Sequence, residues 1–444
     1  MKTIPGITQI LVGVLFFAAV VCFHGLSPGG TQESSRQGEE RKDVVNSSRP
    51  TSEVRLEGLV NEALERNPSI KAFRNAAEAG RSKVTAERTL PDPVLSFETM
   101  GDPNPFQLQE GDPSSGRTYR IMQEVPFPGK LGLKGKIASS EAEVQWWGYE
   151  QRRRQVIAEV KQAYYDYYLI HKSIEVVEEN KLLLKELAEV VDAKYRVGQA
   201  AQQDILKAQV EISKLTDKGL VLEQRRKVTE ALLNDLLYRP RDTPLGRPTD
   251  LEKAELPYSL EELHQMALKN SPGMNMQEQE LERNRHNVKL AERQYYPDFA
   301  VSASVTDRKD MPEMYGLMLS VKVPLYFWRK QHPLLQSARL ELASAQEQKE
   351  SVASTLQYNV RDAYTMVKTS EELVRLYKTT VLPQASLSLE SALASYRVGL
   401  VDVLTLLDTE STLLNYQLKY YESLADFRKA LARLEPLVGV ELTN

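Results

Sequence analysis

The chain has 444 residues, 41% apolar and 27% charged, the composition of a folded protein in contact with water. Its 57 basic and 61 acidic residues leave a net charge of −4, so no basic excess points to nucleic acid. The single cysteine, Cys22, excludes a disulfide framework and a cysteine-rich metal site.

Lys2 precedes an apolar run from Ile10 to Val21. That run is too short for a bilayer, which takes ~20 helical residues. It has the length of a signal-peptide core, and residues 1–26 are read as an export signal. Cys22 ends the run and is the candidate for lipidation. Val21, however, departs from the small residue that a lipidation signal wants before its cysteine, so simple cleavage nearby is the better reading. Residues 27–53, rich in Ser, Gly and Glu, read as a disordered tether.

The remainder is a duplication. Ala63-Leu64 and Asn67-Pro68 return as Ala267-Leu268 and Ser271-Pro272. Pro91-Asp92 returns as Pro297-Asp298, and Val125-Pro126 as Val323-Pro324. Val160, Ala163 and Tyr164 match Val360, Ala363 and Tyr364. Tyr195-Arg196-Val197-Gly198 recurs letter for letter as Tyr396-Arg397-Val398-Gly399. The copies are assigned to 54–240 and 258–440, with a linker at 241–257.

Each copy predicts a helix up to the Pro-Asp pair, two short alternating strands, a very long helix to the Val-Gly, and a returning helix. In copy two, Phe299, Val301, Ala303 and Val305 alternate with Ala300, Ser302, Ser304 and Thr306. Tyr315, Leu317, Leu319, Val321 and Val323 alternate with Gly316, Met318, Ser320 and Lys322. Copy one is shorter: Leu95 and Phe97, then Tyr119, Ile121, Gln123 and Val125 against Arg120, Met122 and Glu124. Such alternation fits a membrane barrel. Taken alone it fits a soluble sheet with one wet face better, since those are commoner.

Two features favour the barrel. Aromatic residues gather where strands meet helices: Phe127, Tyr295, Tyr296, Tyr326, Phe327 and Trp328. Rings with one apolar and one polar end suit a bilayer interface. The stretches from Gly135 to Val197 and from Leu335 to Val381 contain no proline. Some 60 helical residues extend ~90 Å, too polar for lipid and of no use to a compact domain. Their apolar positions recur every three or four residues, so they pack on other helices in water.

Two hairpins give four strands, and an open strand edge cannot sit in lipid. Identical subunits must therefore close the sheet. Two, three or four copies would give eight, twelve or sixteen strands.

The duplicated Tyr-Arg-Val-Gly, the Pro-Asp before each first strand, the Val-Pro exits and the stretch Gln123-Glu-Val-Pro-Phe-Pro-Gly-Lys130 occur in the order of a known family. From about Val54 to Gly439 the chain resembles the TolC family of bacterial outer-membrane efflux proteins, its Pro-Phe-Pro-Gly-Lys being similar to that of the cation-efflux members. The resemblance implies a mainly α fold with a small β part. It implies a homotrimer whose hairpins build a twelve-stranded barrel in outer-membrane lipid above a helical tunnel through the periplasm. A periplasmic adaptor and an inner-membrane pump are the implied partners.

It implies further that Tyr195, Arg196, Val197 and Gly198, with Tyr396, Arg397, Val398, Gly399 and Leu400, form the tip that docks the adaptor. Family members often carry Val-Asp-Val-Leu-Asp past the second corner, its aspartates lining a constriction. Here Asp402 matches and Thr405 replaces the second acid. In copy one the counterpart is read as Asp204, after a corner two residues longer. For both aspartates helix capping competes with a gating role.

No catalytic constellation is present. The five histidines show no metal-ligand spacing, and no phosphate-binding glycine loop occurs. Met311, Met314 and Met318 could bind a soft cation, but methionines at a strand are usually packing. No cofactor is expected. The rival to an export duct is a soluble periplasmic coiled-coil scaffold.

Overall fold

A computed structural model describes residues 53–101, 104–251 and 255–442. The expected signal segment, Cys22 and the tether up to Ser52 lie outside the described residues.

The elements follow one order twice. Copy one is α1 (Leu56–Arg66), α2 (Pro68–Arg88), β1 (Val94–Met100), β2 (Gly116–Val125), α3 (Lys130–Arg196) and α4 (Gln202–Leu236). Copy two is α5 (Leu260–Asn270), α6 (Pro272–Arg293), β3 (Asp298–Asp307), β4 (Met314–Lys322), α7 (Gln331–Leu376), α8 (Leu382–Arg397) and α9 (Val403–Val438). The long helix of copy one is unbroken for 67 residues, ~100 Å of rod. That of copy two is interrupted by a π-helical turn at Tyr377–Val381, just before Pro383. The chain stays helical through the turn, with Leu382 N–H donating to the Tyr377 carbonyl, and Pro383, which has no N–H to donate, follows it directly.

Local chemistry sets the boundaries. Asn67 caps α2 by accepting from the Ser69 backbone N–H at 2.9 Å, and its amide donates to the Leu236 carbonyl. Ser259 and Glu262 form a reciprocal capping box on α5.

The helices pack through three apolar clusters. The one farthest from the sheet joins Leu184, Leu187 and Val191 of α3, Leu215 and Leu222 of α4, Ala385 and Leu389 of α8, and Leu406, Leu407 and Leu414 of α9. The other two flank the short helices, around Val156, Val160 and Tyr164 in copy one and Leu356, Val360 and Leu434 in copy two. Between them a buried ion pair, Lys161 to Glu435 at 2.5 Å, ties α3 to α9. No helix among the described residues is long and apolar enough to cross a membrane.

The four strands form one antiparallel sheet in the order β1-β2-β3-β4. Leu95, Ile121, Ala303 and Leu317 stand opposite one another across it, as do Phe97, Tyr119, Val305 and Tyr315. The two copies thus contribute one continuous sheet, with β2 joined to β3.

Candidate functional site: an outward apolar sheet and two glycine corners

The sheet has one apolar and one polar face. Leu95, Phe97, Tyr119, Ile121, Val301, Tyr315, Leu319 and Val321 are exposed, and Leu317 is 83% exposed. Soluble sheets bury this face, because leaving such side chains in water forgoes ~25 cal/mol per Å² of apolar area. Here the opposite face carries Ser96, Arg120, Ser302, Ser304 and Ser320, with Ser302 buried and Thr118 bonded to Thr306 at 2.9 Å. The outer edges of β1 and β4 pair with nothing among the described residues.

The aromatic residues meet at the base of this sheet. Phe127 of copy one stacks on Tyr296 of copy two at 4.6 Å. Tyr295 approaches Phe327, and Trp328 sits against both Phe327 and Tyr326. A polar bond that sequence reasoning missed underlies the stack. Lys130 donates to Asp298 Oδ1 at 2.8 Å and to the Tyr296 carbonyl at 3.0 Å, while the Phe127 N–H also donates to Asp298 Oδ1. The lysine of Pro-Phe-Pro-Gly-Lys therefore holds the Pro-Asp of the other copy. Both motifs are visible in sequence, but nothing in either names its distant partner.

At the other end both Val-Gly corners close in the same way. Gly198 has φ +75° and Gly399 φ +78°, in the left-handed region. Gly198 N–H donates to Tyr195 and Gln199 N–H to the Lys194 carbonyl; Gly399 N–H donates to Tyr396 and Leu400 N–H to Ser395. These paired bonds satisfy the last carbonyls of a helix. A Cβ at either glycine would meet no atom within 4 Å, so conformation alone demands glycine.

The corners are equal in span, which corrects the longer first corner expected from the sequence. Ala201 is the N-cap of α4 and Asp402 the N-cap of α9, each three residues after its glycine. Asp204 therefore corresponds to Thr405, not to Asp402. Both acids do act as caps. Asp402 Oδ1 accepts from the Thr405 N–H at 2.9 Å and its hydroxyl at 2.7 Å. Those bonds, with Lys207 nearby, hold its carboxyl below the usual range. Asp204 accepts from the Ala201 N–H at 3.3 Å.

The identical tetrapeptides sit in different surroundings. Tyr396 is 5% exposed and Tyr195 42%. Lys194 of the first corner donates to the Tyr396 carbonyl at 2.5 Å, and its ammonium lies 4.5 Å from the Tyr396 ring centre. Burial and Asp204 push the Tyr396 hydroxyl upward in pKa. Val197, Val398, Leu400 and Leu404 project into solvent, Leu400 being 79% exposed.

Among the described residues no group of three or more His, Cys, Asp or Glu could hold a metal ion. Met314 and Met318 are exposed on β4.

The model of the outer membrane efflux protein family matches this chain twice, over residues 59–237 and 263–440. The cobalt-zinc-cadmium resistance protein CzcC of Cupriavidus metallidurans is 21% identical over 391 residues, covering 86% of this chain and 90% of its own. The outer membrane protein VceC of Vibrio cholerae superposes with a TM-score of 0.73 at 17% identity, over 87% of this chain and 96% of that one. CusC, described as forming a transmembrane channel, superposes at 0.75 with 16% identity, over 94% and 99%. Both copies being matched, the chain belongs to the outer membrane efflux proteins, with its sheet at the outer membrane and its helices in the periplasm.

Proposed function

We propose that three copies of this chain close a twelve-stranded barrel and form a passive exit duct, opened at its helical tip by a periplasmic adaptor that links it to an inner-membrane pump. The observation that carries this reading is a sheet with its apolar face exposed and, among the described residues, both edges unpaired. In lipid that face is favourable, and the edges must pair with other copies. Along α4 the apolar side chains Leu206, Val210, Val221, Val228 and Leu232 are also exposed, a stripe suited to a neighbouring helix. The ring of Phe127, Tyr295, Tyr296, Tyr326, Phe327 and Trp328 then lies at the lipid–water boundary.

In this reading the exposed Val197, Val398 and Leu400 at the two corners dock the adaptor. Asp402 and Asp204 are caps first, and their charges also ring the constriction at the tip. Nothing in the duct needs catalysis, and the pump supplies the energy. Membrane fractionation tests the proposal: a detergent-requiring, heat-modifiable trimer supports it, and a salt-extractable monomer refutes it in favour of a soluble scaffold.

Divalent metal cations are the cargo best supported, because the relative matched over nearly its whole length is named for resistance to cobalt, zinc and cadmium. Growth of a deletion strain on those metals and on a drug panel tests this. Sensitivity to drugs alone would refute it.

A further inference from the structure

The internal duplication specifies how neighbouring chains join, an inference that rests on the trimeric-duct reading. Within one chain β2 of copy one pairs with β3 of copy two, Ile121 opposite Ala303 and Gln123 opposite Val301. The free edges, β4 and β1, are the counterparts of those two strands. β4 lies 198 residues beyond β2, as Val125 and Val323 fix, and β3 lies 206 beyond β1, as Asp92 and Asp298 fix. Carrying the observed register across those offsets sets Leu319 opposite Phe97 and Val321 opposite Leu95.

We propose that β4 of one subunit pairs with β1 of the next in this register, and that Lys330 forms an ion pair with Asp92 across the same joint. Three independent features agree. First, all seven residues of β1 find partners inside β4, and the apolar sides of both strands fall on the same face. A slip of one residue would turn one strand inside out.

Second, the half-buried Lys130–Asp298 pair has an unmade counterpart. The long helices match at an offset of 200, as Ala138 and Ala338 (both buried) and Val160 and Val360 show, which sets Lys330 against Lys130. Asp92 is set against Asp298. Lys330 and Asp92 are both exposed and make no ion pair among the described residues, yet they carry the same two charges. Third, the Phe127–Tyr296 stack maps onto Leu325 and Leu90, both apolar and exposed. In each case the element used inside the chain is complete, and its counterpart waits at an edge.

Cysteine pairs in the full-length chain, oxidised in outer membranes, read the register. Leu319→Cys with Phe97→Cys is compared with the slipped pairs Leu319→Cys with Leu95→Cys and with Thr99→Cys. Single-cysteine variants control for Cys22. Directly opposed positions sit closer than diagonal ones, so the first pair should give about fivefold more covalent dimer and trimer. Equal or greater yield from a slipped pair overturns the register. No cross-link in any pair, while native mass still shows an oligomer, overturns edge pairing itself. A monomer by native mass refutes the trimeric duct, and the joint with it. For the ion pair, Lys330→Asp and Asp92→Lys should each lower the temperature at which the oligomer dissociates, and the double exchange should recover it. Failure of the double exchange to recover it overturns the pair.

Discussion

Lys194 at the first corner is tied to Tyr396 at the second through both its carbonyl and its ring. The two helical hairpins of one chain are therefore clasped next to the tip. Lys194→Met keeps the aliphatic stem and removes the charge. It should weaken the clasp by about 1 kcal/mol. Hydrogen exchange at residues 393–400 should quicken, and resting conductance in planar bilayers should rise. Unchanged exchange would show that the clasp holds nothing.

Glu410 should make the helical cores sensitive to pH. It is 2% exposed and occupies a core position in the series Val403, Leu407, Glu410, Leu414, with Oε1 unpartnered. Around it α3 presents Leu184 and Leu187 while its Lys185 and Glu186 are exposed. On α8 Leu389 is buried and Glu390 exposed, and α4 brings Glu211, itself paired with Lys214. Burial first, then Glu211, pushes the Glu410 carboxyl up to about 7 from its ordinary 4.5. The raised value means that the neutral form favours the fold. That stability is full below pH 4.5 and is lost as pH rises through about 7. Glu410→Gln should abolish this dependence. Protection of the 403–414 amides, relative to the Gln variant at each pH, should fall about tenfold from pH 6 to pH 8. A ratio independent of pH would place the carboxylate in water.

Both corner glycines stand at positive φ with open space around them, so Gly198→Ala and Gly399→Ala should each cost about 1–2 kcal/mol locally. Export should suffer more from Gly399→Ala, because Leu400 beside it is apolar and exposed where copy one has Gln199. Equal loss of export from the two would count against unequal docking of the corners.

The Lys130–Asp298 bond joins the exit of one hairpin to the start of the next. Lys130→Met should leave the carboxylate without its cation at a cost on the order of 2 kcal/mol. Lower denaturation midpoints in detergent, with the oligomeric mass unchanged, would show it. A variant as stable as the parent would mean that the Phe127 N–H alone satisfies Asp298.

Much of this architecture is legible in the sequence, because strand alternation, proline-free helices and a repeated glycine corner are local signals. The strands of copy two fall within a residue of the alternating runs and those of copy one extend them by up to three, and both glycines cap helices as their αL preference requires. What escapes is non-local. Tyr195 and Tyr396 share a tetrapeptide, yet only tertiary neighbours bury one and expose the other. Chemical likeness sets Asp204 against Asp402, whereas phase along the helix sets it against Thr405. Glu410 reads as one more surface acid until the helices around it are in place.

The π-helical turn at Tyr377–Val381 also explains an arithmetic mismatch between the copies. Before it they align 200 residues apart, at Val160 and Val360; after it they align 201 apart, at Tyr195 and Tyr396. Copy two carries one extra residue, and a regular helix would pass that on as a rotation of ~100° and a shift of ~1.5 Å. The widened turn absorbs the insertion where it occurs. The helical phase is thereby restored beyond the turn, and two halves of unequal length end in corners of the same span and bonding.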